Sequence, residues 1–280
     1  MKRNLLTLVL LFAFLSCKKS SNTKNKDEEQ SFKGCLIESA TIKNQYSDER
    51  WIYTYDDKGR VIKETYSISP TYGTQFHSFT NYEYTTKKIS FYGEVVAASG
   101  KDAYNGYYEL DDKGRIIKSF NDDGSVDLII TYNANGYIAT VDVAGEDFTS
   151  YTYFDGYLIK AETKRKYLNT IITEDFGYGV ESLKNEQFDA KYFSYPGLNL
   201  PIQLAKYLGK NSKSVISKKI ATRIQDNDNT KYMYIDNYTF KKDSDGNLIS
   251  QTRDHSFSSS SCYSCGGTST RITNYSYKCF

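Results

Sequence analysis

A tyrosine-rich unit recurs along the 280-residue chain. Its clearest copies are Tyr53-Thr54-Tyr55-Asp56-Asp57-Lys58-Gly59-Arg60-Val61-Ile62-Lys63 and Tyr108-Glu109-Leu110-Asp111-Asp112-Lys113-Gly114-Arg115-Ile116-Ile117-Lys118. Each copy reads as a β-hairpin: alternating aromatic residues run into an Asp-rich turn, a glycine supplies positive φ, and an alternating β-branched strand leaves. Looser copies carry Gly136, Gly156 and the pair Asp245-Gly246. Asp56, Gly59, Asp111, Gly114, Gly136, Gly156, Asp245 and Gly246 are therefore assigned to turn building. Gaps of 22 and 20 residues between Gly114, Gly136 and Gly156 suit one hairpin each. The gap of 55 before Gly114 holds another, with Asn81–Tyr84 and Ile89–Tyr92 as strands and Thr85–Lys88 as turn. Such irregular spacing argues against a stacked solenoid and describes a meander.

The predicted fold is all-β, an antiparallel meander of roughly fifteen to seventeen strands. Laid flat at about 4.8 Å each they would make a sheet some 75 Å wide. Twisted open sheets seldom exceed about ten strands, so the meander is expected to curl into a barrel or split into two packed sheets. Twenty-seven tyrosines against two methionines and one tryptophan fit half-wet pleated surfaces. One segment, 196–209, breaks the strand rhythm. Pro201 suits a first helical turn, Leu200, Leu204 and Leu208 form one stripe, and Gly209 can close the end. A short helix near 199–208 is expected as a plug over the core. Lys63, Glu64, Lys118, Lys160, Glu162 and Lys164 put charges on both faces of the strands, against a lipid-facing apolar band. Phe280 matches the aromatic end of outer-membrane barrels, but Tyr275 and Tyr277 are out of phase with it.

At the N-terminus, Lys2 and Arg3 precede an apolar run from Leu5 to Leu15. Asn4 to Ser16 is thirteen residues, short of the about 20 that span a bilayer. The junction Phe14-Leu15-Ser16-Cys17 resembles a bacterial lipoprotein signal, in which cleavage precedes a cysteine that is then acylated. That resemblance implies a signal peptide over 1–16, lipidation at Cys17 and stable membrane anchoring by several acyl chains. Residues 18–31 contain no apolar side chain and read with Cys17 as a tether, 17–31, ahead of a single β-domain over 32–280. The expected location is the outer membrane, lipid-anchored on the periplasmic face or the cell surface.

Without residues 1–16 the chain holds 34 basic and 34 acidic residues. The basic footprint of a nucleic-acid binder is missing. Cys35, Cys262, Cys265 and Cys279 remain after Cys17, an even number that in an exported chain reads as two disulfides with three connectivities. A bond between Cys262 and Cys265 would leave Cys35 to tie the first strand to Cys279 in the last. The rival is zinc held by Cys262, Cys265, Cys279 and either Cys35 or His255, a weak pattern with one Cys-x-x-Cys alone; no metal or cofactor is assigned. His77 and His255 lie in polar stretches and read as solvated loop residues. No nucleophile elbow, His-Glu-x-x-His pair or phosphate loop occurs, so no catalytic residue is assigned.

The Tyr-x-Tyr-Asp-x-x-Gly-Arg hairpins resemble the YD or RHS-type repeats of bacterial surface proteins. Together with the helix over Leu200–Leu208, the segment Lys210–Val215 and the late Asp243-Ser244-Asp245-Gly246 hairpin, they resemble Bacteroidetes lipoproteins with a domain of unknown function and a porin-like fold. The resemblance implies a β fold at the envelope and brings no catalytic residues. The function expected is that of a lipid-anchored envelope protein, structural or binding a saccharide or an envelope protein partner. The alternative is a carbohydrate-binding protein or a carboxylate-dependent glycan hydrolase.

Overall fold

The structure, a computed structural model, describes residues 33–44, 47–71, 73–179, 198, 202–210, 212, 216–225, 230–260 and 262–280, without the side chains of 202, 203, 225 and 262–265. Cys17 and the segments expected to be signal, 1–16, and tether, 17–31, fall outside the described residues.

Sixteen strands form a closed antiparallel barrel in which each pairs with its sequence neighbours and the last returns to the first. They are β1 (Cys35–Lys43), β2 (Ser47–Tyr55), β3 (Val61–Pro70), β4 (Phe76–Tyr84), β5 (Lys88–Ala97), β6 (Gly100–Leu110), β7 (Ile116–Asn121) and β8 (Val126–Tyr132). There follow β9 (Ile138–Val143), β10 (Asp147–Phe154), β11 (Tyr157–Arg165), β12 (Thr170–Tyr178), β13 (Ile216–Gln225), β14 (Thr230–Lys242), β15 (Leu248–Ser259) and β16 (Cys262–Cys279). The meander therefore closes into a barrel and does not split into two sheets. Cys35 is disulfide-bonded to Cys279 where β1 meets β16.

The repeated turn motif is a side-chain clamp. Asp56 Oδ1 accepts the amides of Lys58 at 3.0 Å and Arg60 at 2.8 Å, while Oδ2 takes Arg60 Nε at 2.7 Å. Gly59 holds φ +68°, which closes the turn without a Cβ clash. Asp111 repeats the set on Lys113 and Arg115, and Asn133 and Asp243 do so on the amides of Asn135 and Tyr137 and of Asp245 and Asn247. The second tyrosine of the unit has its own task. Tyr55, Tyr84, Tyr132, Tyr178 and Tyr277 each donate to a backbone carbonyl on the preceding strand, those of Ile37, Val61, Ile116, Leu158 and Leu248, at 2.6–2.7 Å. Each bond lies near a bulge that interrupts the ladder.

Alternation sorts the residues into two faces. A lumen-facing row runs Tyr84, Ile89, Tyr108, Ser119, Leu128, Val143, Asp147, Arg165 and Thr170 across nine successive strands. It begins beside the Asp-Gly turns and ends at the opposite rim, as tilted barrel strands require. The interior changes from apolar to polar along it. The outer face carries the exposed charges Asp48, Arg50, Lys63, Glu83, Asp127, Asp175 and Asp254 beside exposed apolar residues such as Ile52, Ile129, Ile171 and Ile272.

The Asp-Gly end is stoppered. The expected helix is a 3-10 helix, Ile202–Tyr207; Leu200 and Pro201 lie outside the described residues. Leu204 and Leu208 are 0% and 3% exposed and join the cluster of Tyr53, Tyr82, Tyr108, Leu110, Ile138 and Leu158. Lys206 Nζ donates to Gly59 O at 3.0 Å, and Lys210 N to Gly136 O at 2.9 Å. Ser212 Oγ takes the Leu158 amide at 3.2 Å. Gly209 passes so close to Gly136 and Tyr132 that a Cβ would stand 2.5 Å from Gly136 O, and its φ is +75°.

Candidate functional site

The opposite end is polar and carries a ring of charge across adjacent strands. Asp236 on β14 is 1% exposed and collects four neighbours. Arg253 on β15 binds it through Nε at 2.8 Å and Nη2 at 3.0 Å, in the bidentate geometry that guanidinium favours. His255 Nδ1 stands 2.7 Å from Oδ1, and Lys219 Nζ on β13 3.5 Å from Oδ2. Tyr238 Oη lies 3.5 Å away. Burial alone would raise the pKa of Asp236. The hydrogen bonds from Arg253 and His255, with the charges of Arg253 and Lys219, outweigh it and hold the carboxyl below its ordinary value. Asp236 is thus a carboxylate and His255 Nδ1 must donate to it.

Lys219 also reaches Glu174 Oε1 on β12 at 3.1 Å. On the far side of β16, Arg271 Nη2 meets Glu49 Oε2 at 3.3 Å, and Tyr66 donates to the same oxygen at 3.3 Å. A cavity of about 580 Å³ opens beside these pairs, lined by Asn44, Arg253, His255, Thr268, Ser269, Thr270 and Arg271. Its lining residues are two arginines, a histidine, an asparagine, a serine and two threonines, with no acid among them. The acids stand behind the donors and orient them.

The cavity exists because the strands are unequal. β16 has 18 residues and β1 has 9, and their pairing stops at Lys43 and Ile272. β15 continues alongside β16 to Phe257 and Gly267. The notch between the overhanging β15–β16 wall and the turn at Asn44 is the cavity. Asn44 is fixed there by bonds between its side chain and Ser47.

Both histidines lie on strands, contrary to the expectation of solvated loops. His77 faces outward on β4, and His255 faces the lumen on β15, paired across the sheet with Asp236 on one side and Ser269 on the other. The signal for His255 was its phase: Gln251, Arg253 and His255 alternate with Thr252 and Asp254, as on a two-faced strand. Asp56, Gly59, Asp111, Gly114, Gly136, Gly156, Asp245 and Gly246 sit in the hairpin turns, away from the cavity. Cys262 and Cys265 begin β16, with side chains outside the described residues, so their pairing lies outside them too.

The carboxyl with a strongly raised pKa is elsewhere. Glu64 on β3 faces the lumen between Tyr53 and Thr80, its Oε2 sealed from solvent and without a hydrogen bond. Burial pushes its pKa up to about 7. Tyr82, Tyr104 and Tyr108 stand near enough to feel its charge. A glycosidase-type pair needs a second acid facing such a group across the scissile bond. The immediate cross-strand partners of Glu64 are not acids.

No protein-family model and no curated protein matches the sequence. Among solved structures the chain is similar to a porin-like protein from Bacteroides uniformis ATCC 8492, with a TM-score of 0.59 and 18% identity over 86% of this chain and 96% of that one. A porin-like protein from Bacteroides vulgatus ATCC 8482 matches at a TM-score of 0.49 and 12% identity, over 87% and 99% of the two chains. The first of these shows a shared fold.

Proposed function

We propose that the chain is a lipid-tethered, non-catalytic binding protein of the bacterial envelope, whose open polar end takes a ligand bearing acidic groups. The observation that carries this reading is the asymmetry of the barrel. One end is stoppered by the 3-10 helix and tyrosines, and the other opens in a cavity lined by Arg253, Arg271, His255 and Ser269. Guanidiniums already oriented by Asp236 and Glu49 suit carboxylate recognition. The lipoprotein-like junction at Cys17 and the exposed charges of the outer face support a barrel held beside the membrane by acyl chains.

Two experiments test it. Labelled palmitate should incorporate into wild type and not into Cys17→Ala, and a membrane-bound Cys17→Ala protein would remove the anchor. Calorimetry with acidic oligosaccharides and acidic peptides should find a ligand whose affinity falls in Arg271→Gln. Binding indifferent to Arg271 would remove the site.

A second reading rests on the row Asp236, His255, Ser269 on three adjacent strands, the residue types of a serine hydrolase in cross-strand order. His255 is oriented by Asp236, but no hydrogen bond joins it to Ser269. Reaction of a fluorophosphonate with Ser269, lost in His255→Ala, would replace binding with acyl transfer.

A further inference from the structure

The free edge of β16 identifies the ligand class, on the reading that the polar end is the binding end. We propose that an extended acidic peptide segment of a partner protein adds as a strand between Gly267 and Arg271, with an acidic side chain against Arg271.

From Gly267 to Arg271, β16 pairs continuously with β15 on one side, up to a register shift beyond Gly267. Its pairing with β1 ends at Ile272 on the other, and no described strand takes its place. Alternate residues of such an edge turn their N–H and C=O groups outward, a ready template for one more strand. Edges are ordinarily blunted by lysine, proline, a bulge or a covering element. Gly266-Gly267-Thr268-Ser269-Thr270 has no charge and no proline, all five residues are exposed, and a Cβ on Gly267 would meet nothing within 4 Å.

The same residues line the cavity, so backbone donors and guanidiniums face one space. Ser269 and Arg271 share the lumen face with Arg253 and His255, and Thr268 and Thr270 face outward. An added strand would present every second side chain to the lumen face, which places an acid beside Arg271, with its cross-strand partner Arg253 one strand further on. A saccharide would use the arginines and leave the edge amides unpaired. A second copy pairing edge to edge would bring a second arginine-bearing rim against the first.

The test uses the mature chain and N-acetylated decapeptides carrying Asp or Glu at alternate positions, with oligogalacturonate as the saccharide arm. Selected peptides should shift the backbone amide resonances of Gly267–Arg271. N-methylation of one alternate set of peptide amides should weaken binding about tenfold or more, the loss of one or two hydrogen bonds, and the other set should tolerate it. Arg271→Gln should also weaken it several-fold. Oligogalacturonate bound through Arg271 while no peptide binds would overturn the peptide and leave the binding end standing. If neither binds, both readings fall. Sedimentation showing a dimer that protects these amides would give the edge to a second copy and overturn the proposal.

Discussion

Tyr84 donates its phenol hydrogen to Val61 O at 2.6 Å, while the Arg60 guanidinium lies 4.8 Å from the centroid of the same ring. One side chain therefore joins two devices, the cap on the first carbonyl of β3 and the clamp on the β2–β3 turn. Tyr132 does the same for Ile116 and Arg115, whose guanidinium is 4.0 Å from its ring centroid. Two hairpins of the meander are thus locked to the next through a tyrosine, which explains why Tyr and Asp recur together.

Tyr84→Phe keeps the ring and orphans the carbonyl. The expected cost is about 1–2 kcal/mol, the net value of a bond whose acceptor is left unsatisfied. Tyr92, which faces outward and is 50% exposed, provides the control, and Tyr92→Phe should stay within about 0.5 kcal/mol. Urea denaturation compares the two. Equal midpoints would mean that the ring, and not the hydroxyl, is what the motif conserves within this chain.

Glu64 predicts a pH dependence with a definite sign. Its folded pKa is about 7 against an ordinary 4.5, so the folded protein retains a proton that the unfolded chain releases between those values. This group's contribution to stability therefore falls as pH rises from 4.5 to 7 and is level above. Glu64→Gln removes the ionisable group and keeps its shape. The variant should match wild type near pH 4.5 and exceed it at pH 8 by of order 3 kcal/mol. A constant difference across that range would show that Glu64 is already charged at neutral pH.

Asp111 predicts the opposite slope. Burial raises its pKa, but the bonds from Arg115 and the amides of Arg115 and Lys113 outweigh that and lower it. Its contribution is therefore present above the ordinary value of 3.8 and lost as pH falls through the folded value. Asp111→Ala should cost about 1–2 kcal/mol at pH 7. Asn133 holds two turn amides without a charge, so Asp111→Asn should retain most of the stability. Thermal melts at pH 7 and pH 3 separate the two variants.

The sequence made the hairpins legible because their chemistry is local: Asp56, Gly59 and Arg60 meet within one turn, and alternation sets the strands. Strand number followed from those turns, and the need to bury one face favoured closure. The site was not legible, since Asp236, His255 and Arg271 come together through register between strands, which no spacing along the chain encodes. Glu64 was read as a charge on a strand face. Only closure of the barrel places it among Tyr53, Tyr82 and Tyr108.

The disulfide should matter for stability more than for closure. Cys35 and Cys279 are 244 residues apart, and on the chain-entropy model such a loop is worth about 5 kcal/mol. β1 and β16 also pair at eight positions from Cys35 to Lys43, so the reduced barrel should stay closed. Cys35→Ser with Cys279→Ser should lower the melting temperature by about 10–20 °C and leave the far-ultraviolet circular dichroism of the folded protein unchanged. Loss of β signal at 25 °C would mean that the bond itself closes the barrel.

Asp236 and Arg271 should differ sharply although both are ion-paired in the polar end. Asp236 is buried under Arg253, His255 and Lys219, and Asp236→Asn leaves three donors around a neutral amide, at a cost of about 3–5 kcal/mol. Because its folded pKa is lowered, that contribution is present at neutral pH and is lost as pH falls below the ordinary 3.8 through the folded value, where variant and wild type should converge. The Arg271 side chain is 40% exposed, and such pairs contribute about 0–1 kcal/mol. Arg271→Gln should therefore unfold within about 1 kcal/mol of wild type in urea. A ligand whose affinity falls in Arg271→Gln at unchanged stability would then report contact at the cavity, whereas the same loss in Asp236→Asn would report the collapse of its wall.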